Sequence, residues 1–373
     1  MTVVLDGKVW STLACCLAVS VAAPAMANDS ASELAAGGLV LTRTDAIAMQ
    51  REDLTLAPDE VTVRYEMRND TGKPVTLRVA FPMPEVPVAT PGGRSLLGPS
   101  GQEIAHNIDM PDVADPNFLG FFVTAGGKPL TTETEIQADL PDGRNIVKDL
   151  YRIGGWRLVL QPSFYETDPT MKQIDANDVG PTIHQALRKL RAVDGDDKAA
   201  MPLWKTRVTL HWMQTFKPGI TAVEHRYRPV LGFQLVAPVG KDRGVIDPEH
   251  GIWVASGVAD PAREFCIDGD KDRTMREWYR AIAGTDAHKD GYLNGATLGY
   301  VLRTARNWAR PIGTFHLTVK SGTMPHSEQH VSVGMIAVCT EFAMQETVPK
   351  QWEATVTDFV PTQDLRVMFL PSE

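Results

Sequence analysis

Residues 61–84 read VTVRYEMRNDTGKPVTLRVAFPMP, and the fold class follows from this stretch. In its first half Val61, Val63, Tyr65 and Met67 alternate with Thr62, Arg64, Glu66 and Arg68. In its second half Val75, Leu77, Val79 and Phe81 alternate with Thr76, Arg78 and Ala80. Successive strand side chains point to opposite faces, so a period of two marks a strand with one buried and one wet face. The polar connection Asn69-Asp70-Thr71-Gly72-Lys73-Pro74 between the two runs predicts an antiparallel hairpin.

The same plan recurs later. Trp204, Thr206, Val208, Leu210, Trp212, Gln214 and Phe216 share one face, while Lys205, Arg207, Thr209 and His211 share the other. Pro218-Gly219 turns the chain and 220–228 runs back, which predicts a second hairpin. Further strands are expected at 47–56, 118–124, 130–140, 298–302, 315–319, 331–338, 352–359 and 365–370. Residues 28–38 read as a polar lead-in, and 84–116, rich in Pro and Gly, as an irregular connection. Between the two halves Ile146, Val147, Leu150 and Tyr151 recur at helical spacing, as do Ile183, Ala186, Leu187 and Leu190 behind Pro181. A short helix with the apolar stripe Met275, Trp278, Tyr279 and Ile282 is expected, Thr274 and Glu277 fitting a capping box at its start and Gly284 a stop at its end.

A chain of 373 residues is longer than one core usually organises. The expected architecture is therefore mainly β, with two antiparallel β-sandwich-like domains and a small helical insertion. The acidic loop at 193–198 places the boundary, giving domains at 28–200 and 201–373. Residues 1–27 stand apart. Lys8 precedes an apolar run from Val9 to Ala23, and Ala25-Met26-Ala27 supplies small residues for cleavage, so a secretory signal peptide cut after Ala27 is expected. The run is shorter than a bilayer span needs, and no later segment is long and apolar enough either. A soluble mature chain in the periplasm or outside the cell follows.

The net charge is −9, and residues 1–27 carry one Lys and one Asp, so the mature part keeps all of it. No basic run stands out, which argues against nucleic acid as the partner. Removing the signal leaves Cys266 and Cys339 of four cysteines. An even pair in an oxidising compartment suggests one disulfide, two separate buried thiols being the alternative.

Chemistry is thinly signalled. Asp268, Asp270 and Asp272 alternate as in a calcium loop, but Arg273 and Tyr279 stand where that loop needs Gly and Glu. A polar turn before the Thr274 helix accounts for them as well. His326 and His330 lie four apart in what reads as loop, without helical geometry for a shared metal. We expect no metal and no cofactor. No nucleophile elbow, zinc-protease helix, C-x-x-C or phosphate-cradling loop occurs. His225 shares the apolar face of its strand with Val223 and Tyr227, as either a hydrogen-bonded core residue or a catalytic base. The remaining cluster is aromatic and basic. His225, Arg226, Tyr227 and Arg228, with Arg306 and Trp308, form either a recognition surface or a set of loop ties.

Several of these segments carry a resemblance. Gly37-Gly38-Leu39, Glu52-Asp53-Leu54 and Val79-Ala80-Phe81-Pro82-Met83-Pro84 resemble the N-terminal half of the bacterial domain-of-unknown-function family 4424. Trp212-Met213-Gln214-Thr215-Phe216, 225–230, 307–313 and Asp358-Phe359-Val360-Pro361 resemble its C-terminal half. The resemblance implies export, a shared β-rich fold and a cysteine near each of Cys266 and Cys339. It carries no activity. The hairpin around Phe81 is also similar to the vault/inter-alpha-trypsin domain, a β-sandwich associated with protein interaction. The reading that results is an exported, non-catalytic binding or envelope-associated structural module with a protein or glycan partner. A secreted hydrolase using His225 or the Asp268 region is the alternative.

Overall fold

The computed structural model describes residues 30–35, 38–83, 86–87, 117, 119–160, 181–194, 201–229, 231–239, 252–255, 265–267, 273, 277, 293–326 and 329–372. Within them the chain is mainly β, with two α-helices, Val147–Leu160 and Pro181–Leu190. Both helices fall where the helical spacing predicts. Asn145 opens the first by accepting the Val147 N–H on Oδ1 at 3.1 Å. Pro181 opens the second, where its missing N–H costs no helical bond. Of the expected helix around Trp278, Glu277 is described and helical, while the stripe Met275, Trp278, Tyr279 and Ile282 lies outside the described residues.

The strands build three large sheets. An eight-stranded sheet runs Gln345–Val348, Gln351–Phe359, Ile312–Lys320, Ile47–Leu56, Val61–Asn69, Gly219–Tyr227, Phe122–Ala125, Lys128–Pro129. A six-stranded sheet orders Gly38–Thr42, Ser30–Ala35, Val75–Pro82 and Lys205–Phe216, with Val86–Pro87 and Glu133–Asp139 also paired to Lys205–Phe216. A second six-stranded sheet runs Ile252–Ala255, Gly232–Val239, Leu293–Tyr300, Leu365–Pro371, Gln329–Cys339, Thr323–His326. The polar lead-in of the sequence reading is thus corrected at Ser30–Ala35, which forms a strand against Val75–Pro82. Its membership rests on backbone pairing, which leaves no periodicity to read.

Both expected hairpins are corrected too. Val61–Asn69 and Val75–Pro82 form as strands but do not pair with each other. The first pairs with Ile47–Leu56 and Gly219–Tyr227 in the eight-stranded sheet, the second with Ser30–Ala35 and Lys205–Phe216 in the six-stranded one. Lys205–Phe216 and Gly219–Tyr227 are divided between the same two sheets. Each predicted hairpin is therefore an arch that crosses from one sheet to the other. The two arches stack, Gly219 opposite Asn69 and Phe216 opposite Val75. An arch and a hairpin share one alternation, since either buries every second residue. The strands that carry the vault-domain likeness accordingly sit in different sheets.

Asn69 fixes the corner. Its side chain is 1% exposed. Nδ2 donates to Lys73 O at 2.7 Å and to Phe216 O at 2.8 Å, while Oδ1 accepts from Thr71 N at 2.9 Å and Thr71 Oγ1 at 2.7 Å. One amide thus closes its own turn and ties it to the corner of the other arch. Gly72 and Gly219 take φ of 73° and 94°, the left-handed region that these tight corners require.

Strands from both sides of residue 200 are hydrogen-bonded neighbours in two sheets, so the sheets do not follow the expected boundary there. Buried side chains of all three sheets join one continuous cluster, from Ile47 through Phe81 and Trp212 to Phe369. The eight-stranded sheet also contains one parallel pairing among the described residues, Ile312–Lys320 with Ile47–Leu56. Gly313 permits it, because a β-carbon there would stand 2.6 Å from the Gln50 carbonyl oxygen. Cys266 and Cys339 lie at bonding distance with Cα atoms 4.9 Å apart, as the disulfide reading expects. The bridge fixes a segment whose Phe265 and Ile267 are buried onto the Gln329–Cys339 strand.

Two outcomes test this architecture. Asn69→Ala removes four hydrogen bonds and strands a buried carbonyl, so urea denaturation should show a loss of about 2–4 kcal/mol. Replacing both Cys266 and Cys339 by Ala should cost roughly 2–4 kcal/mol on the same assay, for the 73-residue separation that the bridge closes.

Candidate functional site

The alternation of Gly219–Tyr227 separates the residues of the His225–Arg228 segment. His225 and Tyr227 turn inward and are buried, whereas Arg226 and Arg228 are exposed. His225 has 0% exposure. Its ring centroid lies 4.7 Å from Phe81, 5.1 Å from Phe121, 5.5 Å from Tyr65 and 6.5 Å from Tyr227. Phe121 reaches Trp212 at 6.0 Å, and Phe81 reaches Tyr300 at 6.4 Å. Aromatic rings at these separations contribute beyond the area they bury. Glu52, also fully buried, stands opposite Tyr65 on the neighbouring strand.

The second half of the cluster ties loops. Asp364 Oδ1 accepts the backbone N–H groups of Leu302 and Arg303 at 3.2 and 3.4 Å, so it caps the 3-10 turn Arg303–Asn307 from outside. Its Oδ2 takes Arg303 Nε at 3.0 Å and Nη2 at 2.6 Å. That hydrogen bond raises the guanidinium pKa above its usual range. Arg306 Nε donates to Pro361 O at 2.6 Å. Trp308 is buried, edge-on to Phe216 at 6.4 Å. Asn307 O accepts from Thr44 N, Ala309 N donates to Ile47 O, and Arg310 lies 3.5 Å from Asp70. Of the six candidate surface residues, His225, Tyr227 and Trp308 are therefore corrected to the core, and Arg306 is exposed but engaged. The structure does not bring Arg306 and Trp308 together with Arg226 in any contact between described residues.

Arg226 and Arg228 remain on the surface beside a residue that the sequence reading did not single out. Phe122 pairs with Arg226 across the strands and is 43% exposed. The Arg226 guanidinium carbon lies 5.5 Å over its ring centroid. A signal was present, since adjacent Phe121 and Phe122 on one strand must face opposite ways. Arg228 Nε and Nη2 lie 3.9 Å from where a β-carbon on Gly120 would stand. Across the same face the other arginines are neutralised at hydrogen-bonding distance: Arg51 by Asp53 at 2.8 Å, Arg64 by Glu224 at 3.0 Å, Arg68 by Asp70 at 2.7 Å. Their partners hold the Arg51 and Arg64 pKa above, and the Asp70 pKa below, the usual values, hydrogen bonding being the largest cause in each.

His326 and His330 lie on paired strands, with His326 opposite Gln329 and Pro325 opposite His330, which corrects the loop reading. The Asp268–Asp272 segment lies outside the described residues. Among the described residues no group of three or more His, Cys, Asp or Glu is placed to hold a metal ion. No described helix is long and apolar enough to cross a membrane.

These features define a β-rich protein whose recurring aromatic segments are packing elements. The chain belongs to the family of the domain of unknown function DUF4424, whose model matches residues 27–368. No curated protein matches it. Among solved structures, the chain is similar to a candidate nutrient binding protein from Legionella pneumophila subsp. pneumophila strain Philadelphia 1, at 11% identity and a TM-score of 0.36. That likeness covers 93% of this chain and 72% of that one.

His211 sits on the expected polar face of its strand yet is buried. Arg78 Nη1 lies 3.1 Å from its Nδ1, and a guanidinium can only donate, so Nδ1 accepts and the proton sits on Nε2. Burial lowers the imidazole pKa, Glu133 at 4.0 Å opposes this, and Arg78 lowers it further. The stability this group contributes is intact above the ordinary value near 6.5 and lost as pH falls through the lower folded-state value. Melting temperature should thus fall further in the wild type than in His211→Gln when pH drops from about 7.5 to about 5. Parallel curves would show that His211 does not titrate with unfolding.

Proposed function

We propose that the chain is an exported protein of the cell envelope acting as a non-catalytic binding module, its recognition surface at the Arg226–Phe122 edge. The observation that carries this reading is the complete burial of His225 among Phe81, Phe121 and Tyr65. A base must reach the proton it takes, and an imidazole with no exposed surface and aromatic neighbours does not meet a substrate. Arg226, with its side chain 59% exposed beside a half-exposed phenylalanine, has the character of an interface anchor. Export is supported by Lys8, the apolar Val9–Ala23 run and the small residues before Asn28, and a bonded cysteine pair suits an oxidising compartment.

The test expresses the full chain in a Gram-negative host. The periplasmic fraction should yield a protein starting at Asn28, and a chain retained in the cytosol with Met1 would overturn the export reading. Cross-linking of that protein in envelope extract should recover a partner that Arg226→Gln loses. Equal recovery by the variant would remove the surface from Arg226, and recovery of nothing would remove the binding role.

A further inference from the structure

We propose that the corner where the two arches stack is a contact surface for an anionic lipid bilayer. This surface is separate from the Arg226–Phe122 edge and does not depend on it. Arg68, Lys73, Lys217 and Arg310 are all exposed there. They are distant in the chain, so no basic run marks them, and the stacking of the arches brings them together. Asn69 Nδ2 donates to the carbonyls of both Lys73 and Phe216, which places Lys73 and Lys217 on adjoining turns. Arg68 stands opposite Ile220 where the same two strands leave the corner. Arg310 reaches the corner from a third segment, 3.5 Å from Asp70.

One carboxylate is shared among these cations. Asp70 takes Arg68 on Oδ1 at 2.7 Å and faces Arg310 with Oδ2. The Arg68 hydrogen bond lowers the Asp70 pKa, and the charges of Arg68 and Arg310 lower it further. Among the described residues neither Lys73 nor Lys217 has an acid at ion-pair distance. Arg43 and Asp45, joined to this region through the Thr44–Asn307 backbone bond, balance each other at 3.2 Å. Four cationic groups with the single Asp70 carboxylate leave three positive charges, in a chain of net charge −9. The rest of the molecule is then more acidic still, and its field turns this corner toward an anionic layer.

The shape of the corner selects among anionic partners. Asp70 to Pro74 and Lys217 to Ile220 are exposed throughout, so the surface protrudes, whereas a small anion is held in a concave site. A stable protein interface uses about 20–30 residues a side, more than two turns present. A bilayer requires neither. Its charge is diffuse, which suits flexible and strongly hydrated lysines, and Ile220, 56% exposed, adds an apolar side chain to the same surface.

Pelleting with sucrose-loaded vesicles tests the assignment, equal parts phosphatidylcholine and phosphatidylglycerol being compared with phosphatidylcholine alone. The difference between the two is the readout. The purified chain should bind the mixed vesicles at about 0.01 M salt and leave them at about 1 M, as the screening length falls from ~30 to ~3 Å. Lys73→Gln with Lys217→Gln should weaken that binding about 25-fold, about fivefold for each cation removed from an anionic surface. Lys148→Gln with Lys320→Gln removes the same charge from the first helix and from the far end of the parallel strand, and should leave binding near that of the wild type. All four side chains are exposed, so melting temperatures should stay at the wild-type value. Undiminished binding by the Lys73/Lys217 variant, or an equal loss in the Lys148/Lys320 variant, would overturn the corner as the contact. Failure of the wild type to bind mixed vesicles would overturn the lipid partner. Lysine-dependent retention on an immobilised acidic polysaccharide would in that case assign the corner to a glycan.

Discussion

The amide of Asn69 joins the two halves of this fold. A strand that leaves one sheet and enters another must turn through a corner whose backbone groups have no ladder partners, and buried polar groups without partners are costly. Asn69 meets that need at both arches, because it bonds Lys73 within its own corner and Phe216 within the other. With the corners pinned, the register of two sheets is set from one end. Val75 meets Phe216 in the first, and Asn69 meets Gly219 in the second. Every inward residue along the four strands then follows by alternation, which brings Phe81, Trp212, His225 and Tyr65 into the same interior.

That interior explains the segments by which the family is recognised. Phe81, Trp212, His225 and Tyr227 come from three of them and lie within one aromatic cluster. Trp308 adds a fourth segment through its edge-on contact with Phe216, and Gly313 of that same segment permits the close parallel approach to Gln50. Such residues are demanding because large rings in a packed core tolerate little change of shape. A motif of this kind marks a fold. It does not mark a reaction, and fold by itself does not choose a function.

The outer face of the eight-stranded sheet follows a different rule. Its arginines and acids stand in cross-strand rows, Asp53 beside Arg64 beside Glu224, and exposed pairs of this kind add little to stability. Their consequence is local neutrality over most of the face. Against that background, Arg226 is set apart by the Phe122 ring at 5.5 Å, with Glu60 no nearer than 3.9 Å. The proposed recognition edge thus differs from its neighbours on this face as much as it is defined by its own residues.

The sequence alone determined the strands and their inward faces, because alternation is a local property of the chain and burial obeys it. Val61, Val63, Tyr65 and Met67 are buried as their spacing requires, and both helices begin where Asn145 and Pro181 place them. The sequence also marked Cys266, Cys339 and the basic-aromatic segments. Pairing was decided only in three dimensions. Hairpin and arch write the same period of two, and which of them forms depends on hydrogen bonds between residues 147 positions apart, as Asn69 and Phe216 show. The division of His225–Arg228 into core and surface was implicit in the alternation. What singles out Arg226 is the distance to Glu60 and the ring beneath it, both set by neighbouring strands.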